Sequence, residues 1–133
     1  MGGLIIDTCV FIDAEKQDIP LDFKSLAING NIYMSAITVS ELLVGVHHAN
    51  SEIRRLKRSA HIEGLIAVIN ILDFDIKVAR VHAEISASLA KKHTFIGAHD
   101  LLIAATALTH GCAVLTYNEK EFSRVPRLTV LTP

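Results

Sequence analysis

The chain has 133 residues, 50% of them hydrophobic and 20% charged, with a formal net charge of −1. This size fits a single domain spanning residues 1–133, and the composition excludes a disordered chain. No apolar run reaches the ~18 residues of a membrane span, and no basic region leads into a signal-peptide core, so we expect a cytoplasmic protein.

Short continuous apolar runs are typical of strands buried on both faces, and apolar residues three and four apart are typical of helices packed on one side. In chain order the predicted elements are strand 4–6, helical turn 9–12, a helix from 23 that ends at 29–30, strand 32–34, helix 39–48, helix 51–68, strand 71–72, helix 76–93, helix 98–110, strand 113–115, helical turn 119–122 and strand 128–130.

This alternation predicts an α/β fold with a mostly parallel sheet of about five strands and helices on both faces. The last strand is short and terminal, which favours an edge position. The helices at 51–68 and 76–93 could project together as an arm, whose apolar faces would serve a homodimer.

Polar side chains stand where a strand ends or a helix begins, at Asp7, Glu41, Asp100 and Asn118. In an open α/β sheet these points share one edge, where ligands bind. Asp7 could equally be a helix cap, and Asn118 a turn or cap residue. Glu41 also completes a capping box with Thr38 as its N-cap.

Asp100 leads a helical face made of Ile103, Ala104, Ala107 and Leu108, which should pack on the sheet. A carboxylate at the head of an inward face requires a cation, hydrogen-bond donors or both. Three gathered carboxylates would form an oxygen-rich site suited to Mg²⁺ or Mn²⁺. A bound ion would polarise a phosphate, activate water and stabilise the leaving oxygen, without a side-chain nucleophile.

Other residues are weaker candidates. Glu119 and Glu121 could add charge near Asn118, and His99 could touch a substrate, although a surface or packing role is as simple. Cys9 and Cys112 lack the paired spacing of a zinc site and fit free, buried thiols. The sequence has no glycine-rich phosphate loop, no G-x-S-x-G elbow and no H-E-x-x-H pair.

Four segments together resemble the PIN-domain family, and within it the VapC-type toxins of prokaryotic toxin–antitoxin pairs. They are Leu4-Ile5-Ile6-Asp7-Thr8, the run 35–42 ending in Ser40-Glu41-Leu42, the run 100–107 that starts with Asp100, and Leu115-Thr116-Tyr117-Asn118 followed by Phe122. The resemblance covers essentially the whole chain, and all four motifs occur in the family's order and spacing.

The resemblance implies a three-layer α/β/α PIN-like fold and a Mg²⁺- or Mn²⁺-dependent endoribonuclease that cleaves structured RNA such as tRNA or rRNA. It implies a homodimer and a cognate antitoxin that pushes a basic or bulky side chain into the acidic pocket. Asp7, Glu41 and Asp100 would be the catalytic and metal-binding residues. Thr8, Thr116 and Asn118 would be supporting groups.

Two departures from the family pattern bear on activity. Many relatives have aspartate in place of Asn118, so a second metal ion would bind weakly or not at all. Relatives commonly have Asn or Ser in place of Cys9, so a polar contact could be missing.

Two alternatives remain open. The chain could be a PIN-like binding module with little or no catalysis that acts through a protein partner, as Asn118 and the near-neutral charge allow. It could also be a phosphotransfer domain of similar layers. Against this, Cys9 stands where a haloacid-dehalogenase-like phosphatase needs a second aspartate, and only Asp7 follows the first strand where a receiver domain needs an acid pair.

Overall fold

The computed structural model describes residues 2–26 and 30–133. Strands and helices alternate along most of the chain. Their bounds are β1 Leu4–Ile6, α1 Thr8–Gln17, α2 Phe23–Leu26, β2 Ile32–Ser35, α3 Ala36–His47, α4 Glu52–Val68, β3 Asn70–Leu72, α5 Ile76–Lys91, α6 Ala98–Thr109, β4 Ala113–Leu115, α7 Glu119–Phe122 and β5 Val130–Leu131.

In the described part of the chain, five strands form one sheet in the order β3-β2-β1-β4-β5, and every pairing is parallel. The central strand β1 is fully buried, which explains its unbroken Leu-Ile-Ile sequence. Parallel strands share one carboxyl edge, so the residues that follow β1, β2 and β4 come together there. The prediction of a mostly parallel sheet of about five strands is confirmed.

Helices cover both faces of the sheet, as a three-layer α/β/α fold requires. Ile5 points into one core cluster, together with side chains of α5, α6 and α7. Leu4 and Ile6 point to the other side, where they pack with side chains of α1, α3 and α4. Because α4 packs against α3 and α5 against α6, the expectation that α4 and α5 project together as an arm is wrong.

The predicted boundaries are shifted at several elements. Helix α1 runs to Gln17, well beyond the single turn that the sequence indicated, and β5 starts two residues later than predicted. The predicted helix from residue 23 extends into residues 27–29, which lie outside the described part of the chain. Within the described residues, no helix has both the length and the apolar character needed to cross a membrane.

Ile5 provides a test of the core. It is fully buried in β1, so Ile5→Ala leaves a cavity, and we expect it to lower the free energy of unfolding by roughly 2–5 kcal/mol. Ile53→Ala makes the same change at a side chain that is 79% exposed, and it should alter stability by less than about 0.5 kcal/mol. Urea denaturation of both variants measures the difference, and equal effects would contradict the assigned core.

Candidate active site

Asp7 lies directly after β1 and is only 3% exposed. It caps α1, because its Oδ1 accepts a hydrogen bond of 2.8 Å from the backbone N–H of Thr8. Its Oδ2 accepts two more bonds, from the Thr116 hydroxyl at 2.8 Å and from the Cys9 thiol at 3.0 Å. Three donors therefore fix this carboxylate between β1 and β4, and the capping alternative for Asp7 is confirmed alongside its place in the site.

Thr8 links Asp7 to Glu41. The Thr8 hydroxyl lies 2.8 Å from Glu41 Oε1 and 3.0 Å from the hydroxyl of Thr38. A carboxylate only accepts, and a hydroxyl carries one proton, so Thr8 donates to Glu41 and accepts from Thr38. The hydroxyl of Ser35 in turn donates to Thr38 at 3.3 Å. This hydroxyl chain orients Glu41 toward the end of β1.

The capping-box interpretation of Glu41 is wrong. Helix α3 begins three residues earlier than predicted, and its N-cap is Ser35, whose side chain accepts from the N–H of Thr38. Glu41 therefore lies in the second turn of α3, where its side chain can turn toward Thr8. Ser35 and Thr38 are both acceptable N-cap residues. Because β2 ends at Ser35, α3 begins directly after it and Ser35 is the cap.

Asp100 is the third residue of α6, on the same face as Ile103, Ala104 and Ala107, which are fully buried. The predicted inward face is therefore confirmed. The Oδ2 atom of Asp100 accepts a hydrogen bond of 3.0 Å from the side-chain amide of Asn118. This bond joins the start of α6 to the segment that follows β4.

Asn118 holds two carboxylates at once. Its Nδ2 donates to Asp100 and also to Glu121 Oε2 at 2.7 Å, while its backbone N–H donates to the Thr116 hydroxyl at 2.9 Å. It stands at the N-cap position of α7, but its side chain makes no capping bond. Thr116 thus accepts from Asn118 and donates to Asp7, which completes a bonded path from Glu41 to Asp100.

Glu121 is a site residue that the sequence suggested only as a source of charge. Its Oε1 accepts a hydrogen bond from the backbone N–H of Gly97, the N-cap of α6. A Cβ placed on Gly97 would lie 3.3 Å from Glu121 Oε1 and 3.8 Å from Asp100 Oδ2. The i, i+3 spacing from Asn118 across a helical turn was the available signal.

The charges at this edge repel each other. Burial, together with the carboxylates of Asp7, Glu121 and Glu41, raises the pKa of Asp100 to about 6. The hydrogen bond from Asn118 acts in the other direction and lowers this pKa, but it does not cancel the rise. Bonds from Gly97 and Asn118 lower the pKa of Glu121. Four acidic side chains are therefore within electrostatic reach of one another.

Two neighbours refine the site. The Cys9 thiol donates a hydrogen bond to Asp7, so a polar contact is present at this position. Burial, and to a smaller extent this bond, raises the pKa of the thiol. His99 Nδ1 lies 3.4 Å from Glu41 Oε2, on a side chain that is largely exposed at the rim of the site. Cys9 and Cys112 are both free.

The carboxylates of Asp7, Glu41 and Asp100 suit a hard divalent cation by their chemistry and charge, although the distances between them are not those of a formed metal site. Among residues 2–26 and 30–133, no three His, Cys, Asp or Glu side chains are spaced to hold a metal ion as they stand. Asp7, Glu41 and Asp100 nevertheless offer carboxylate oxygens, the ligands that Mg²⁺ and Mn²⁺ prefer. The raised pKa of Asp100 reflects unbalanced negative charge as well as burial, and a cation would neutralise that charge.

Comparison with known proteins yields one family and consistent relatives. The PIN domain family profile matches residues 4–128. Ribonuclease VapC1 of Rickettsia felis is 43% identical over 130 residues, covering 98% of this chain and 96% of the relative. The tRNA(fMet)-specific endonuclease VapC of Salmonella typhimurium is 32% identical over 124 residues, covering 93% and 91%.

Solved structures agree in fold. The crystal structure of VapBC2 from Rickettsia felis bound to a promoter DNA fragment contains a chain that matches with a TM-score of 0.86 at 27% identity, covering 100% of this chain and 99% of that one. DNA-bound VapBC from Salmonella typhimurium gives a TM-score of 0.84 at 30% identity, covering 99% and 98%.

The raised pKa of Asp100 predicts a pH dependence of stability in chelator-treated protein. The folded pKa of about 6 exceeds the unfolded value of roughly 3.9. The protonated carboxyl therefore adds stability that is complete below about pH 4 and is lost as the pH rises through about 6. In urea denaturation between these limits, rising pH should lower the stability of the wild type relative to Asp100→Asn, which lacks this carboxyl. An equal decline in both proteins would contradict this origin.

Proposed function

Because the chain belongs to the PIN-domain family, and is a VapC-type toxin endoribonuclease within it, we propose that it hydrolyses structured RNA with Mg²⁺ or Mn²⁺ held by Asp7, Glu41 and Asp100. The supporting observation is the bonded path from Glu41 through Thr8, Asp7 and Thr116 to the amide that holds Asp100. It gathers acids from three distant segments at one edge of the sheet.

The proposed division of labour follows from the contacts. When bound, the ion supplies Lewis-acid activation of the phosphate and lowers the pKa of water. Thr116 and the N–H of Thr8 hold the Asp7 carboxylate in one orientation, and the Thr8 hydroxyl does the same for Glu41. Asn118 supports Asp100 from the side of β4. These supporting groups reduce the side-chain freedom that would otherwise be lost on binding an ion.

The cellular RNA substrate is the finer part of the proposal. A relative is named as a tRNA(fMet)-specific endonuclease, so tRNA is the first substrate to assay, followed by rRNA. Sequence-specific RNA recognition mostly targets unpaired loops, bulges and ends. Glu41 and Asp100 are partly exposed at this edge of the sheet, where such a loop can reach them.

Partners follow the same reasoning. A solved relative from Mycobacterium tuberculosis is described as a member of the VapBC family of toxin–antitoxin systems, and this chain is the toxin of such a pair. We propose that the antitoxin inhibits it by placing a basic side chain among the carboxylates of the site, where the charges are complementary. We also propose that the toxin acts as a homodimer.

Asp100→Asn tests the catalytic assignment. The change keeps the shape of the side chain but removes a charge from the proposed cation site, so we expect cleavage of tRNA in Mg²⁺ or Mn²⁺ to fall by at least about 100-fold. Cleavage is followed on labelled tRNA with purified protein. Glu84→Gln is the matched control, because it makes the same carboxylate-to-amide change at an exposed position of α5, and it should cleave normally. Unchanged cutting by Asp100→Asn would refute the proposal and indicate a contaminating nuclease.

Asn118→Asp tests how the amide limits metal binding. The variant adds a carboxylate next to Asp100 and Glu121 and removes the donor that bridges them. We expect tighter Mn²⁺ binding by isothermal titration and lower stability in a chelator, while Asn118→Ser should show only the loss of stability. If the wild-type protein binds no Mn²⁺ at millimolar concentration, the alternative of a catalytically inactive binding module is favoured instead.

A further inference from the structure

The aromatic residues of this chain are unevenly placed. There are five Phe, two Tyr and no Trp, and the two most exposed rings are Phe95 at 79% and Tyr117 at 54%. The other rings are less exposed, and Phe74 packs edge-on against His82. Single exposed apolar side chains are ordinary, but Phe95 and Tyr117 both lie in chain segments that contribute to the acidic site.

Phe95 lies in the segment that enters α6, and this segment is held at two points. The Phe95 carbonyl accepts a hydrogen bond of 2.7 Å from Arg124 Nη1, and the N–H of Gly97 donates to Glu121. The Cβ position of Gly97 is 3.8 Å from Asp100 Oδ2. Two residues of chain span at most about 7 Å, so the backbone of Phe95 lies no more than roughly 12–13 Å from this carboxylate. Its ring faces solvent.

Tyr117 lies between the two residues that support the acids, Thr116 and Asn118. Its hydroxyl donates to Asp13 Oδ2 at 3.1 Å, which ties the ring to helix α1. Phe95 is tied instead to the segment that follows α7. The Tyr117 ring and the Phe95 backbone are therefore held by different elements, and each lies in a segment that carries residues of the acidic site.

Without a bound cation the acidic site repels a polyanion, so contacts that do not depend on charge would add to the affinity for RNA. Unpaired bases stack on aromatic rings in this way, whatever their sequence. We infer that Phe95 and Tyr117 bind unpaired bases of the RNA substrate by stacking, beside the phosphate that the acids address. The exposed guanidinium of Arg124 adjoins Phe95 and can contact a neighbouring phosphate. This inference rests on the proposed ribonuclease function.

A fluorescence experiment tests it directly, because the chain has no Trp of its own. Phe95→Trp in the Asp100→Asn background, with Mg²⁺, provides a single Trp that can be excited selectively over the two Tyr, in a protein whose cutting is strongly slowed. A single-stranded RNA of about ten nucleotides should quench this emission saturably, and the same strand in a duplex should bind at least about tenfold more weakly. Val68→Trp is the control, because its emission should not respond to RNA. Val68 is exposed and lies at the amino end of β3, whereas the acidic site lies at the carboxyl ends of β1 and β4.

Kinetics of otherwise active protein provide the second readout. Phe95→Leu keeps an apolar side chain without a ring, and we expect KM for an unstructured RNA substrate to rise about tenfold while kcat stays within about twofold. Phe95→Tyr should match wild type. Tyr117→Leu should raise KM similarly, and Tyr117→Phe should raise it much less.

The outcomes separate this inference from the function on which it rests. One outcome refutes only the stacking inference. The wild type then cleaves RNA, RNA does not change the emission of Phe95→Trp, and Phe95→Leu has the KM of the wild type. The ribonuclease function would still hold. If emission changes with protein concentration in the absence of RNA, the ring contacts a second copy of the chain, which also overturns the inference. If wild type neither cleaves nor binds RNA, the proposed function fails first.

Discussion

The burial of the Asp7 carboxylate determines the arrangement of the site. A buried carboxyl costs several kcal/mol unless donors replace water, and Asp7 receives the backbone N–H of Thr8, the hydroxyl of Thr116 and the thiol of Cys9. Each donor belongs to the segment that follows β1 or β4, so the parallel pairing of these strands positions all three. The same pairing places Tyr117 and Asn118 at this edge, so the register of β1 against β4 determines which side chains meet in the site.

Donors, rather than cations, stabilise the acids in this fold. Within the described residues, Asp7, Glu41 and Asp100 form no ion pair with lysine or arginine, and Glu41 has only His99 at 3.4 Å. Neutral hydroxyl and amide groups donate hydrogen bonds to the carboxylate oxygens but do not neutralise their negative charge. The remaining charge contributes to the raised pKa of Asp100. A permanent arginine there would stabilise the fold but would compete with a metal ion. The retained repulsion is consistent with a site that sacrifices stability for cation binding.

The sequence predicted elements whose signal is local and failed where side chains from distant segments compete. The apolar run before Asp7 and the inward face behind Asp100 follow from periodicity alone, and both were found. The start of α3 was misplaced because Ser35 and Thr38 are both acceptable caps, and the end of β2 selects the first. The roles of Cys9 and Glu121 depend partly on which hydrogen-bond partners β4 and α6 bring within reach. The spacing of Glu121 from Asn118 is a local signal, but its bond to Gly97 and the bond between Cys9 and the buried Asp7 depend on the tertiary fold.

Asn118 shows why one amide can alter a site without disturbing the fold. An aspartate in its place would add a carboxylate beside Asp100 and Glu121, where the existing charges already raise a pKa. The amide instead donates one hydrogen to each of them, so it links α6 to α7 and keeps the site intact when no cation is present. It also leaves fewer anionic oxygens for a second ion. In the proposed metal site, the amide therefore exchanges ion-binding capacity for a preorganised arrangement of Asp100, whose carboxylate accepts a hydrogen bond from Asn118.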